Sequence, residues 1–288
     1  MGNHVAWCRR PARRAARFAA AATGIAALGL VLVLGTMGAA ADGRTSATVH
    51  TGLPIPPIPP ILPGLAPAPA PSPAKSAAPQ PAWAPGLPAD TTQVIRTTYS
   101  HQWCTQLYCT KTEAWEKVGG VWRLAAGPGL GGKAVFRSTV GPRGFAPPGK
   151  RRTDDGRTPS GEYSIFLTFS TTGTAPGPMP WRRRWSTSVI SSNPGPTYNT
   201  WMENGSGGDR PSMQYGFWVD YNHPRLTAGA QPAPDPALGS GIFYHTSWPN
   251  TRWLPTYGCT NVSLPDQMRW LVAWLRPSAD PRVLNNIS

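Results

Sequence analysis

Fourteen prolines fall between residues 53 and 89, in LPIPPIPPILPGLAPAPAPSPAKSAAPQPAWAPGLPA, and that density decides where this chain can fold. Proline fixes φ and has no amide donor, so such a run neither joins a sheet nor packs as a helix. The segment reads as an extended, semi-rigid spacer rising about 3 Å per residue, with a reach of roughly 100 Å. A link whose length carries no function is the other reading. Upstream, residues 1–17 hold five arginines and no acid, and an apolar run from Phe18 to Ala41 follows, ending in GAAAD. A basic stretch, an apolar stretch and small residues before Asp42 form the pattern of an export signal cleaved near that aspartate. The same run is long enough to span a bilayer as an uncleaved N-terminal anchor. Residues 1–41 are therefore expected to serve export or anchoring, and residues 42–92 to form a Pro/Ala-rich linker. Residues 93–288 remain, enough for one domain with a substantial core.

The formal charge is +14, of which the five arginines before residue 18 contribute five, leaving +9 for a chain processed near Asp42. Clusters at KRR (150–152) and RRR (182–184) favour a polyanion or form a solvated basic face. No nucleic-acid-binding signature accompanies them, so nucleic acid is not an expected partner. Anionic cell-wall polymers are, and a membrane enters only through an uncleaved anchor.

Strand-like runs separated by Gly/Pro-rich loops fill the last two thirds: TQVIRTTYS (92–100), KAVFRSTVG (133–141), GEYSIFLTFS (161–170), STSVISS (186–192), YGFWVDYN (215–222) and SGIFYHTSW (240–248). Gly119-Gly120 within TEAWEKVGGVWRLAAG marks a tight hairpin, because both turn positions tolerate positive φ. The spacing predicts a mainly β domain, a sandwich or a barrel. One helix is predicted near the end, in SLPDQMRWLVAWLRP, with Ser263 as its cap and Pro277 as its stop. Met268, Leu271, Val272 and Leu275 form its apolar stripe.

Two motifs carry no chemistry. GPGLGGKA (127–134) matches a phosphate-loop spacing, but Ala134 replaces the Ser or Thr that would hold magnesium and a strand pattern follows it. A zinc site built from His223, His245, Cys259 and Asp220 lacks the ligand spacing of catalytic zinc. Neither a cofactor nor a metal is expected.

Of the four cysteines, Cys8 precedes the apolar run, and Cys104 and Cys109 are close enough to close a small loop in an oxidising compartment. Cys259 is the odd thiol. It follows His245 by fourteen positions, in FYHTSWPNTRWLPTYGCTN. A cysteine thiolate attacks a carbonyl when a histidine takes its proton and nearby donors hold the oxyanion. The predicted helix start, four residues on, would place the sulfur at a positive helix end that favours the thiolate. A buried structural cysteine beside a satisfied core histidine fits the same pattern.

His245 followed by TYGCTN resembles the signature of the L,D-transpeptidase (YkuD-type) catalytic domain: a histidine, a gap of mid-teens length, then Ser/Thr-His-Gly-Cys-x-Asn. Thr256, Gly258, Cys259 and Asn261 match it, and Tyr257 stands where the family often has histidine. DDGRTPSGEYSI (154–165) resembles the family's upstream Thr-Pro-x-Gly segment, and the similarity spans residues 93–288. The resemblance implies a β-sandwich-like catalytic fold with a C-terminal helix packed on the sheet, and peptidoglycan stem peptides as substrate. It implies Cys259 as nucleophile attacking the bond between a diamino acid and D-Ala, with His245 as base and then acid. It also implies 3→3 crosslinks as product and carbapenem acylation of Cys259. Gly258, with Cys259, is a candidate oxyanion donor; Thr256, Tyr257 and Asn261 are candidates for loop support or substrate contact. Thr158, Pro159 and Gly161 are expected to form a structural turn. An L,D-carboxypeptidase using the same site and a non-catalytic wall-binding module remain alternatives.

Overall fold

A computed structural model describes residues 79–288, apart from 204, 206–207, 209, 223–232 and 248–252. The expected export segment and most of the proline-rich linker lie outside the described residues, as does His223. The linker ends sooner than expected. Trp83 is buried against Trp115 and Trp122, with edge-on ring centroids 5.5 and 5.3 Å apart, and Thr91 is fully buried with its hydroxyl donating to Asp280. Residues 83–92 therefore pack with the domain.

Twelve strands and one α-helix are described. They are β1 (Gln93–Tyr99), β2 (Cys109–Val118), β3 (Val121–Leu124), β4 (Val135–Thr139), β5 (Gly161–Ser170), β6 (Trp181–Arg183), β7 (Val189–Ile190), β8 (Trp201–Met202), β9 (Tyr215–Val219), β10 (Phe243–Thr246), β11 (Thr260–Val262), α1 (Pro265–Trp274) and β12 (Arg282–Asn285). The fold is mainly β, as the strand pattern predicts, with the helix near the C-terminus. The Gly119-Gly120 hairpin joins β2 to β3 with φ of 57° and 80°, a pair of positive values that two glycines adopt without a Cβ penalty. The GPGLGGKA segment is a turn, with Gly131 and Gly132 both at positive φ.

The main sheet runs β1-β12-β5-β9-β10-β11-β4-β2, and β2 pairs back onto β1. Eight strands thus close into a ring, which removes the open edges of a flat sheet. Successive side chains alternate across this wall, and two separate cores result. Inside, Ile95, Ala114, Phe136, Phe217, Tyr244, Val262 and Val283 meet Met268, Leu271 and Val272 of α1. Outside, Leu167, Phe169, Trp218, Phe243 and Cys259 pack under Val189, Ile190, Trp201 and Met213 from the 171–214 excursion.

A bulge in β5 lets one strand serve both cores. Ile165 pairs with Val219 and Leu167 with Trp218, so Phe166 is the extra residue. An inserted residue reverses the alternation beyond it, which turns Ile165 inward and Leu167 and Phe169 outward. The helix starts later than predicted. Leu264 sits at the N-cap with no side-chain capping bond, and the Ser263 hydroxyl is buried without a hydrogen-bond partner among the described residues. Between Cys259 and the helix lies β11, so the sulfur precedes a strand and no helix dipole acts on it. Among the described residues, no helix is long and apolar enough to cross a membrane.

Candidate active site

His245 lies on β10 and Cys259 immediately before β11, and these neighbouring strands run parallel with His245 opposite Asn261. A parallel pair needs a crossover of about a dozen residues or more. Residues 247–259 supply it, which is the physical reason for the histidine–cysteine spacing. Cys259 is two residues before Asn261, so alternation sends its side chain to the same outer face as those of His245 and Asn261.

On that face His245 is 5 % exposed. Its Nδ1 donates to the carbonyls of Thr246 (2.7 Å) and Ser212 (3.1 Å). Carbonyl oxygens only accept, so these contacts fix the proton on Nδ1 and leave the lone pair on Nε2. Nε2 is buried with no hydrogen-bond partner among the described residues. Burial lowers the histidine pKa from its ordinary value and outweighs the two carbonyls, which favour the protonated ring. The imidazole is thus held neutral, with its basic nitrogen withheld from water. Its cross-strand partner on β9 is Gly216. A Cβ at Gly216 would strike the Phe169 ring and the Tyr244 carbonyl.

Cys259 is fully buried, and its Sγ lies 3.3 Å from the Gly241 carbonyl. The expectation of an odd thiol is corrected here: Cys104 and Cys109 are joined to each other, and Cys259 is disulfide-bonded as well. Nucleophilic chemistry at this sulfur therefore requires the reduced form, because a disulfide sulfur carries no thiolate.

The loop before the sulfur is held by hydroxyls. Thr256 Oγ1 donates to the Cys259 carbonyl and accepts from the Gly258 amide at 3.2 Å. The Thr158 hydroxyl accepts from the Gly141 amide at 3.0 Å and donates to the Cys259 carbonyl at 3.4 Å. The Thr-Pro segment thus ties the nucleophile loop to the barrel. Because its amide is engaged by Thr256, Gly258 does not present an oxyanion donor in this conformation. Gly258 has φ of +123°, and a Cβ there would sit 3.0 Å from the Arg157 carbonyl and 3.1 Å from Arg151 Nη2, so the position requires glycine. Tyr257 is half-buried between them. Asn261 accepts from the Ser247 hydroxyl at 2.9 Å, bracing the end of β10.

A family model for the YkuD L,D-transpeptidase catalytic domain matches residues 111–284, more than half of the chain. The chain belongs to that family. A search of curated proteins finds no match to it. YkuD domains are cysteine-dependent enzymes of the transpeptidase type acting on peptidoglycan, and the outer-face cluster holds the residue types that such chemistry needs.

Sequence reasoning missed three features around this candidate site. Two are the main-chain carbonyls of Ser212 and Thr246, which leave no trace in residue identity. The third is Arg151. It is buried, whereas its neighbours Lys150 and Arg152 are exposed, so the KRR cluster is not one solvated face. The RRR cluster divides in the same way, with Arg184 buried and Arg182 and Arg183 exposed. Three like charges in a row give no sign of which one turns inward.

Proposed function

We propose that this protein is an exported peptidoglycan L,D-transpeptidase in which reduced Cys259 is the nucleophile and His245 the proton carrier. The observation that carries the proposal is His245 Nε2: a buried basic nitrogen without a partner among the described residues, on the same outer wall as the sulfur. In the first half-reaction Nε2 takes the thiol proton, and the thiolate attacks the carbonyl joining the diamino acid to D-Ala. The carbon–nitrogen bond breaks, Nε2–H protonates the leaving amine, and a thioester remains on Cys259. In the second, an acceptor amine attacks the thioester, yields its proton to Nε2 and releases the thiolate, forming a 3→3 crosslink. The Cys259 amide is the candidate donor to the developing oxyanion. Water in place of the amine would give carboxypeptidase activity from the same groups.

A wall-binding module without chemistry is less well supported. Trp122 and Trp218 are buried and Trp115 and Trp270 partly so, which removes them as sugar platforms. The exposed Lys150, Arg152, Arg182 and Arg183 suit contact with anionic wall polymers. The test is product analysis with a stem tetrapeptide donor and reduced protein. Crosslinked dimers should form with the native chain and be absent with Cys259→Ala; dimers persisting in that variant would exclude this nucleophile.

A further inference from the structure

Arg151 is 5 % exposed, and its guanidinium touches no carboxylate among the described residues. Its Nε donates to the Arg157 carbonyl at 3.4 Å and its Nη1 to the Leu238 carbonyl. The guanidinium carbon lies 5.5 Å from the centre of the Tyr221 ring. The nearest acids are occupied elsewhere. Asp155 accepts from the amides of Arg152 (2.8 Å) and Arg157 (2.9 Å), and Asp235 from the amide of Ala237 (2.8 Å). Tyr163, Tyr198 and Tyr221 are all influenced by the Arg151 charge, yet burial raises the pKa of each, so they stay neutral and supply no counter-ion.

Burying a guanidinium against neutral acceptors alone is costly, and an anionic ligand relieves that cost. The surroundings also make room for this group. Gly239 and Gly258 are both at positive φ, and a Cβ on either would crowd the guanidinium: at Gly239 against Nη1, at Gly258 against Nη2. The edge bearing Nη2 therefore faces the residue immediately before the nucleophile.

We infer that Arg151 Nη2 recognises the C-terminal carboxylate of the donor stem peptide and thereby sets the scissile carbonyl against Cys259. This rests on the transpeptidase reading above. In that substrate the leaving D-residue carries a free carboxylate separated from the attacked carbonyl by only one nitrogen and one carbon. A planar guanidinium matches such a group in shape and charge. The role is positioning: Arg151 holds the leaving residue and transfers no proton.

The experiment measures binding of three peptides to the reduced full-length protein by calorimetry: the tetrapeptide acid, its C-terminal carboxamide, and an analogue with lysine replacing the diamino acid. The acid is expected to bind about tenfold or more tightly than the carboxamide, the scale of a lost charged hydrogen bond. The lysine analogue should stay close to the acid. Arg151→Gln should bring acid and carboxamide to equal affinity, and Arg151→Lys should keep a reduced preference for the acid. Equal binding of acid and carboxamide to the native protein overturns the inference and leaves the transpeptidase reading intact. Loss confined to the lysine analogue overturns it too, because the recognised carboxylate is then that of the diamino acid. Failure of every peptide to bind overturns both. The comparison within the native protein decides the matter even if an Arg151 variant does not fold.

Discussion

Tyr244 and His245 are consecutive on β10, both buried, and face opposite sides of the barrel wall. The inward hydroxyl of Tyr244 bonds to Thr97 (2.7 Å) and Asn285 (2.7 Å) and its ring stacks on Phe217 at 4.7 Å. Thr112, Thr110 and Ser138 extend the chain of hydroxyls around it at 2.8 to 2.9 Å. Burial raises the phenol pKa well above its ordinary value, so it is inert as an acid. The outward imidazole of His245 has its Nδ1 satisfied and its Nε2 unsatisfied. Buried polar atoms normally find partners. The inner network around Tyr244 obeys that rule and holds the barrel together, while on the outer face His245 Nε2, the nitrogen that a reaction would use, lacks a partner among the described residues. Burial alone does not mark function here; an unsatisfied basic nitrogen on the same face as the candidate nucleophile is the stronger sign.

Substitutions at the two faces should separate activity from stability. His245→Gln is expected to lower turnover by roughly 10²–10⁴, the usual contribution of a general base, with a small change in melting temperature; steady-state rates and calorimetry check both. Comparable turnover in this variant would erase the contrast between the faces. Gly258→Ala should come next. Its +123° backbone and the nearby Arg157 carbonyl predict a loss of about 1–3 kcal/mol by denaturant unfolding, with impaired activity because the loop bearing Cys259 must shift. Tyr244→Phe should do the converse of His245→Gln. It strands the Thr97 and Asn285 groups at a cost of about 1–3 kcal/mol, with turnover nearly unchanged.

The smallest effect is the pH dependence of His245. Its folded pKa is lowered, so between the folded and unfolded values the unfolded chain binds more protons, and stability rises with pH. This contribution is complete above about pH 6.5 and declines as pH falls through the unfolded value toward the folded one. The acid limb of turnover should likewise lie below that of an ordinary histidine. A native-minus-His245→Gln stability difference that grows on acidification contradicts the neutral, partnerless ring.

Local chemistry made several elements readable in advance. GEYSIFLTFS became β5 over the residues expected, the Gly-Gly pair became the β2–β3 turn, and the apolar stripe of α1 is buried. Each of those signals is carried by adjacent or periodic residues. β11 and β12 were not anticipated, because Thr260–Val262 is too short to show alternation and Arg282–Asn285 follows a proline after the helix. Closure of the ring depends on β1 pairing with β12 at the far end of the chain, which no local pattern encodes. At the site, His245 and Cys259 were legible from their order and spacing. The Ser212 carbonyl at Nδ1 and the burial of Arg151 depend on distant segments, whereas the Thr246 carbonyl at Nδ1 and the Thr256 hydroxyl on the Gly258 amide are local contacts that residue identity does not reveal. The supposed helix dipole at Cys259 failed for a local reason, since three strand residues intervene.

Intact-mass analysis of the reduced protein after exposure to a carbapenem, followed by peptide mapping, tests the nucleophile most directly. The account predicts one covalent adduct on Cys259, formed far more slowly in His245→Gln and absent in Cys259→Ala. An unmodified native chain, or an adduct on any other residue, would contradict it.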